Sequence, residues 1–466
     1  MSDFGAGQIL RITLALCVMT LAGRSAALAA GFRIYDQGAS AAGQAAAFAA
    51  QADDASAVYY NPAGMAQIRG MQFMAGTTLI GGSTRFRNAT GITTRGDFGD
   101  SVAVPPPSVF YLTANLKDLG LTSLDGLSAG LGLLSPFGTL YQYPSNGPFA
   151  TAVTAAALEL IDVKPTLAYR VNETLALGVG LDIYTFFNFW GEGQYEARFI
   201  SSGGAGLPSV GTPVEINGKG TATGFNVSLM ATPLRTDDGK PRLNVGLVYR
   251  SQATLRLNGE FLANGTRVSQ ASTTLVLPQI LTGGIAWWPF RDHELEWKLE
   301  WDVDWTGWQS LKNTDVHLST GSTIPFPQQW KNSLTTMVGT EYKWLNPAPM
   351  PQWDIALRAG YWFSESPIPD RAYNPAVPDS NNHALSVGLG LSCHRGGQFL
   401  GIIPCGSELA TWWAPKGLGL DLAYKALLYE TRTVSGNANP VAVPAAIDGT
   451  YRTTFHIGSI NLRLDF

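Results

Sequence analysis

Apolar and polar residues alternate strictly from Glu294 to Trp305. Leu295 and every second residue after it are apolar, whereas the residues between them are charged. A period of two residues predicts a strand with one apolar and one polar face. The same alternation recurs in the segments 174–184, 242–250, 385–392 and 418–425. Both a soluble β-sandwich and a membrane β-barrel alternate in this way, so further features must separate the two folds.

The number of such segments indicates an all-β membrane protein, a barrel of about fourteen antiparallel strands, since bacterial barrels have an even number. The predicted strand centres are Met74, Tyr111, Leu131, Leu167, Leu181, Val227, Leu247, Leu277, Trp301, Val338, Leu357, Leu389, Leu422 and Gly458. Long, irregular loops are expected near Gly91, Pro144, Gly204, Asn264, Ser319, Tyr373 and Pro440, and short turns at 172–173, 237–239, 290–292 and 347–349. This alternation of long and short connections is typical of outer-membrane barrels.

Both ends of the chain favour export to the outer membrane of a Gram-negative bacterium. Residues 1–29 resemble a secretory signal, with Arg11, the apolar stretch 12–23 and the site Ala27-Leu28-Ala29 before the expected cleavage. The apolar stretch is too short to favour a transmembrane anchor. Alternation that closes on Phe466 is expected of a last strand that the barrel assembly machinery recognises.

Composition excludes several other classes of protein. The formal net charge is -4 and no basic stripe occurs, so no nucleic-acid partner is expected. The sequence has no run of roughly 18 apolar residues, so no membrane-spanning helix is predicted. The five histidines show no ligand spacing with one another or with the cysteines, so no metal and no cofactor are predicted.

Residues 30–69 differ from the strand-rich remainder because they are rich in alanine and glycine. They predict a small plug, or hatch, inside the lumen of a barrel formed by residues 70–466. An Asn-Pro-Ala-Gly turn stands near the end of the hatch, so Asn61, Pro62 and Gly64 are predicted to set its connection to the first strand.

Ser135, Pro136, Phe137 and Gly138 follow the third predicted strand. Proline cannot donate a hydrogen bond to a β-ladder, so it is confined to strand ends, edges and bulges. Two interpretations remain open. The strand simply ends at Pro136, or the wall has a local opening through which an apolar molecule passes sideways into lipid.

Two smaller patterns concern the pairing of side chains. In an exported protein, Cys393 and Cys405 are candidates for a disulfide, with two free thiols as the alternative. The carboxylates between Glu294 and Asp304 are expected to pair with lumen arginines such as Arg242 and Arg250, with a cation path as the alternative.

The sequence around Ser128 matches the G-x-S-x-G nucleophile elbow of hydrolases, which needs a strand, a sharp turn and a helix. Here the alternating pattern continues beyond the motif, so Ser128 is interpreted as a small lumen residue and no catalytic residue is predicted.

Several short stretches, in this order and spacing, resemble the FadL/TodX (OmpP1) family of outer-membrane transporters of hydrophobic compounds. They are 31–32, 38–43, 53–55, 61–65, 135–138, 249–251, 277–278, 305–312, 330–331, 338–342, 366–369, 378–379 and 383. The resemblance implies a fourteen-stranded barrel with a hatch in its lumen. It also implies a ligand site near the start of the hatch, for which Phe32 and Ile34 are the candidates, and lateral exit at a kinked third strand.

The sequence thus predicts passive, ligand-gated uptake of long-chain fatty acids or aromatic hydrocarbons. The expected partners are the hydrophobic ligand, outer-membrane lipid and lipopolysaccharide, and the barrel is expected to be a monomer. The alternatives are a general porin for small polar solutes, a lipid hydrolase and a structural barrel that binds nothing.

Overall fold

The computed structural model describes residues 31–99, 102–106, 108–188, 192–204, 206–394, 396–399, 401, 403–406 and 415–466. The predicted signal, residues 1–29, lies outside the described residues. None of the helices within these ranges has the length and apolar character that crossing a membrane requires.

Fourteen antiparallel strands form a closed barrel, as the alternating sequence predicts. Numbered along the chain with all 26 strands of the described residues, they are β1 (Met71–Arg87), β3 (Val109–Asn115), β4 (Leu127–Leu134), β7 (Ile161–Arg170), β8 (Leu175–Thr185), β11 (Ala222–Arg235), β12 (Pro241–Arg250), β15 (Ile280–Arg291), β16 (Leu295–Thr306), β19 (Ser333–Leu345), β20 (Trp353–Ser364), β21 (Asn382–Cys393), β24 (Gly417–Tyr429) and β26 (Gly449–Asp465). The last strand pairs with the first from Gln72–Asp465 to Arg87–Thr450, which closes the wall.

Thirteen of the fourteen predicted strand centres lie in barrel strands, and the one at Leu277 is wrong. The eighth barrel strand is β15, which begins at Ile280. Leu277 instead ends a strand of a long hairpin outside the barrel, and Pro278, which cannot donate to a ladder, separates that strand from β15 along the chain.

The remaining twelve strands lie in the connections. They are β2 (Thr93–Asp97), β5 (Gly138–Gln142), β6 (Ala155–Glu159), β9 (Tyr195–Ile200), β10 (Pro213–Gly218), β13 (Ala253–Ala263), β14 (Thr266–Leu277), β17 (Val316–Leu318), β18 (Thr323–Ile324), β22 (Gly397–Phe399), β23 (Ile403–Cys405) and β25 (Arg432–Val434). The segment near Asn264, predicted to be an irregular loop, is the tight turn of the regular hairpin β13–β14.

Long and short connections alternate around the barrel. The short turns predicted after β7, β11, β15 and β19 are all present, at one end of the barrel that we call the turn end. The opposite end, which carries β2, β5, β6, β9, β10, β13, β14, β17, β18 and β25, is called the loop end. In outer-membrane barrels the short turns face the periplasm.

Residues 31–70, called the N-terminal segment, precede the first barrel strand. They contain two short helices, α1 (Ala39–Ala42) and α2 (Ala57–Tyr60), and a 3-10 helix at Pro62–Gln67. Between residues 32 and 66, all residues except Ile34 and Asp53 are buried. Further 3-10 turns lie at Thr122–Leu124, Trp308–Ser310 and Asp370–Ala372.

Candidate functional site

Carboxylates of β16 hold the middle of the N-terminal segment through its backbone. One Asp302 carboxylate oxygen accepts hydrogen bonds of 2.8 Å from the amides of both Phe48 and Ala49. Glu300 likewise accepts from the amides of Ala50 and Gln51, at 2.7 and 3.1 Å. These contacts bind the polar face of β16, which faces the lumen, to a segment that would otherwise bury unpaired amides.

The expected pairing of these carboxylates with Arg242 and Arg250 is wrong. The partner of Asp304 is Arg33 of the N-terminal segment, with 2.6 Å between guanidinium and carboxylate. Arg250 instead donates to the carbonyl oxygen of Tyr59, and Arg242 is exposed at the turn end. The alternating pattern of the strands does not predict this pairing, because the arginine comes from the N-terminal segment and not from a barrel strand.

Glycines on the barrel wall allow the N-terminal segment to lie directly against it. A Cβ atom on Gly246 would collide with the carbonyl oxygen of Ala49, and one on Gly360 would collide with the backbone of Gln44. Any larger residue at these two positions would displace the segment from the wall.

The predicted turn at Asn61 is well defined. The Asn61 side chain accepts from the Ala63 amide at 3.1 Å, which caps the 3-10 helix, and it donates to the carbonyl of Ala49 at 2.7 Å. Pro62 is the first residue of that helix. Gly64 has no room for a side chain because a Cβ atom would lie 2.5 Å from the carbonyl oxygen of Ala52.

The wall ladder is interrupted between β4 and β5, at Ser135–Gly138, which we call the kink segment and whose last residue begins β5. Below it, β4 pairs with β7 up to Leu134. Above it, β5 pairs with β6 and β2 instead. The neighbouring strand β3 is also short on the side of the loop end. Its first residue, Val109, pairs with Gly76, whereas β1 continues to Arg87.

The start of the N-terminal segment pairs with the inner side of the kink segment. The Ile34 amide donates to the Pro136 carbonyl oxygen at 2.9 Å, and the Gly138 amide donates to the carbonyl oxygen of Phe32 at 3.0 Å. Arg33 and Phe137 form the antiparallel bridge between them. The residues predicted to bind ligand and those predicted to open the wall are therefore adjacent.

An apolar cavity of about 160 Å³ adjoins this pairing. Its lining includes Phe32 and Ile34 from the N-terminal segment, Phe137 and Gly138 from the kink segment, and Trp362 and Phe455 from the wall. Among its described lining residues, Arg33 is the only cation. Since that guanidinium is bound to Asp304, the cavity offers no unpaired positive charge from the described residues.

Two tryptophans that the sequence did not single out as site residues support Phe32. Its ring centroid lies 4.8 Å from that of Trp308 and 5.6 Å from that of Trp330. Trp308 follows β16 and is fully buried. In the sequence, its stretch, 305–312, contributes only to the family resemblance. The aromatic contacts fix Phe32, and through it the edge that pairs with the kink segment.

A buried carboxyl group, Asp379, lies in the loop between β20 and β21 beside the cavity residue Pro378. Burial raises the pKa of this group to about 7, although hydrogen bonds from the Ser366 hydroxyl and from the amide of Gly31 oppose that shift. The Ser366 bond is 2.8 Å long. Asp379 therefore titrates near neutral pH, next to the first residue of the N-terminal segment.

Other candidate sites lie apart from this region. Cys393 and Cys405 form a disulfide at the turn end, where β22 and β23 pair. Ser128 is buried within β4, so the strand continues through the G-x-S-x-G match and the turn and helix of a nucleophile elbow are missing from this stretch.

The described residues contain one group of three carboxylates close enough to share a metal ion, at the loop end: Glu192, Glu196 and Glu215. The Arg198 guanidinium lies 2.6 Å from Glu196 and 3.0 Å from Glu215. It already supplies the positive charge that these carboxylates need.

The family model for outer membrane protein transport proteins (OMPP1/FadL/TodX) matches residues 20–396. The chain belongs to this family. It is therefore an outer-membrane transport protein, and the predicted family and location are confirmed. Members of this family are transporters rather than enzymes.

Relatives and solved structures agree with this membership. The chain is 21% identical to a long-chain fatty acid transport protein from Salmonella typhi over 393 residues, which cover 78% of this chain and 84% of the relative. A Pseudomonas aeruginosa FadL homologue has the same fold, with a TM-score of 0.72 at 18% identity, over 94% of this chain and 100% of that one. The Ralstonia pickettii toluene transporter TbuX gives 0.60 at 14% identity, over 93% and 100%.

Proposed function

We propose that this transport protein carries hydrophobic molecules passively across the outer membrane, with residues 31–70 as its hatch. The observation that carries the proposal is the apolar cavity formed jointly by the start of the hatch and the kink segment. A ligand in that cavity contacts both Ile34 and Phe137. Occupancy of the cavity is thus coupled to the contact between hatch and wall.

The proposed route begins at the loop end and leaves through the side of the barrel. Ligand binding displaces Phe32–Ile34 from the kink segment. Because β3 and β4 both stop at this level, the displaced hatch leaves the wall without a continuous ladder, and the ligand exits into lipid. The kinked strand is the third of the barrel, where the sequence predicts the opening.

The size and charge of the cavity support small uncharged ligands in the observed conformation. A cavity of about 150 Å³ lined by apolar side chains holds a benzene molecule. The present cavity is of similar volume, so it fits one aromatic ring or part of an acyl chain. A complete long-chain fatty acid requires the hatch to move, and its burial contributes roughly 0.8 kcal/mol per methylene.

Uptake of three labelled solutes by cells with and without the protein tests this proposal. We expect faster entry of toluene and of a long-chain fatty acid and unchanged entry of a sugar. Sugar entry without apolar uptake would instead identify a general porin. Release of fatty acid from an ester by the purified protein would identify a hydrolase.

A further inference from the structure

Three arginines occupy neighbouring positions on three adjacent strands, on the outer face of the wall. Arg85 of β1 is paired with Arg452 of β26 on one side and with Arg95 of β2 on the other. All three are exposed, and so is Arg87, two residues further along β1. Thr84 and Phe86, which flank Arg85 on β1, are buried, so the arginines point away from the lumen. We call these four residues the arginine row.

The arginine row lacks matching negative charge from the described residues. Asp97 lies 3.8 Å from Arg95, but no carboxylate of a described residue is within ion-pair distance of Arg85, Arg87 or Arg452. Glu430, near the end of β24, is bound instead to Asn381 and lies near His383. Like charges directly opposite on neighbouring strands are destabilising, so this arrangement favours binding of an external anion.

The height of the row places it at lipid head groups. An apolar band about 25 Å tall corresponds to roughly ten residues of a strand tilted by about 40°. Counted from the outward-facing Phe73, that band ends near Ser83. Arg85 is the next outward-facing residue, on the side of the loop end.

A shallow apolar depression of about 490 Å³ lies below the arginine row on the outer wall. It is lined by Leu79, Leu389, Leu422, Tyr424, Gly458 and Ile460. Gly458 leaves it open, because no described atom lies within 4 Å of the position that a Cβ atom would take. Leu79 is six residues below Arg85, about 15 Å along the membrane normal.

We propose that the arginine row and this depression together bind lipid A, the phosphorylated acyl glycolipid of the outer leaflet. Guanidinium groups recognise phosphate through paired, charge-assisted hydrogen bonds. The acyl chains below the phosphates reach the depression. A free phosphate would use the row alone, whereas a lipid uses both features.

Binding of defined lipids to the purified full-length protein tests the proposal. The probes are bisphosphorylated lipid A, phosphatidylethanolamine and inorganic phosphate, followed by native mass spectrometry and by the unfolding temperature in detergent. We expect lipid A to form an adduct and to raise the unfolding temperature. We expect neither effect from phosphatidylethanolamine or from inorganic phosphate. Equal stabilisation by inorganic phosphate would overturn the lipid assignment, and equal binding of phosphatidylethanolamine would overturn the phosphate selectivity.

Two variants separate the two halves of the site. R85Q/R452Q should bind lipid A roughly tenfold more weakly, since hydrogen bonds to charged groups are strong. G458L should weaken binding by filling the depression. The control R256Q removes an exposed arginine of β13 and should bind as the unmodified protein does. Unchanged binding in R85Q/R452Q, or an equal loss in R256Q, would overturn the proposal.

A second readout does not depend on ligand affinity. Without lipid, R85Q should raise the unfolding temperature because it removes like-charge repulsion across two strand pairs. With lipid A present, the same variant should be less stable than the unmodified protein. The same sign of change under both conditions would contradict the proposal.

Discussion

The amide of Ile34 donates a 2.9 Å hydrogen bond to the carbonyl oxygen of Pro136. This bond joins the first residues of the N-terminal segment to the wall at the point where β4 ends. Pro136 supplies an acceptor but no donor, so only one of its two backbone groups can take part in a ladder. The contact holds the segment without making it part of a continuous sheet.

Replacing this proline should slow apolar uptake while the barrel still assembles. In P136V the new amide and the freer backbone allow β4 to continue, which narrows the proposed opening. We expect uptake of toluene to fall several-fold, on the order of 1 kcal/mol in barrier. The control is P165V, the same substitution outside the kink segment. Pro165 lies within β7, where it is paired with Leu131 of β4. Equal uptake by P136V and the unmodified protein, with normal heat-dependent gel migration of both, would remove Pro136 from the mechanism.

Enlarging the cavity should change which ligand binds best. F137A removes a ring that lines the cavity, and even one methylene more or less in an apolar pocket is worth about 1–3 kcal/mol. The ratio of naphthalene to toluene affinity should therefore rise by roughly tenfold. Displacement of a fluorescent apolar probe measures both constants. A preference that does not change would mean that ligands bind elsewhere.

Breaking the ion pair between Arg33 and Asp304 should loosen the start of the N-terminal segment. Removing one partner of a buried pair costs about 3–5 kcal/mol because the other charge is left uncompensated. R33M should therefore increase hydrogen exchange at the amides of residues 32–38, and R33M/D304N should restore part of the protection. Exchange as slow in R33M as in the unmodified protein would show that the pair does not hold the segment.

Protonation of Asp379 should make stability depend on pH. The pKa of this buried carboxyl is about 7 in the folded protein, against an ordinary value of about 3.9. The folded state therefore binds the proton more tightly than the unfolded chain. This contribution is complete below about pH 4 and is lost as the pH rises through 7.

The D379N variant isolates that contribution because its side chain cannot titrate. Between about pH 5 and pH 8, the unmodified protein should lose more heat resistance than D379N, as judged by the temperature at which the compact gel band disappears. Parallel curves for the two proteins would contradict the assignment.

The barrel could be predicted from the sequence because its strands carry their own signal. Alternation from Glu294 to Trp305 reflects a wall that faces lipid on one side and polar atoms on the other. The hairpin β13–β14 alternates in the same way but stands outside the barrel, so the strand centre predicted at Leu277 falls in the wrong element. Periodicity identifies a strand and leaves its partner open.

The partners inside the lumen could not be predicted for the same reason. Asp302 binds two backbone amides of the N-terminal segment, and backbone amides are present in every residue, so no sequence pattern marks them. Arg33 lies between two apolar residues, Phe32 and Ile34, which is the only signal that it serves a buried partner. Proline acts locally, so the sequence can predict an interruption near Pro136, and β4 ends at Leu134.

The most direct test of the account is to fasten the N-terminal segment to the wall. Arg33 and Phe137 are bridge partners, so R33C/F137C should form a disulfide across the proposed opening. We predict that the oxidised double variant does not take up toluene and that mild reduction restores uptake to the level of the reduced protein. Each single cysteine variant and the unmodified protein, treated identically, serve as controls. Equal uptake before and after reduction of a fully cross-linked R33C/F137C sample would contradict the account.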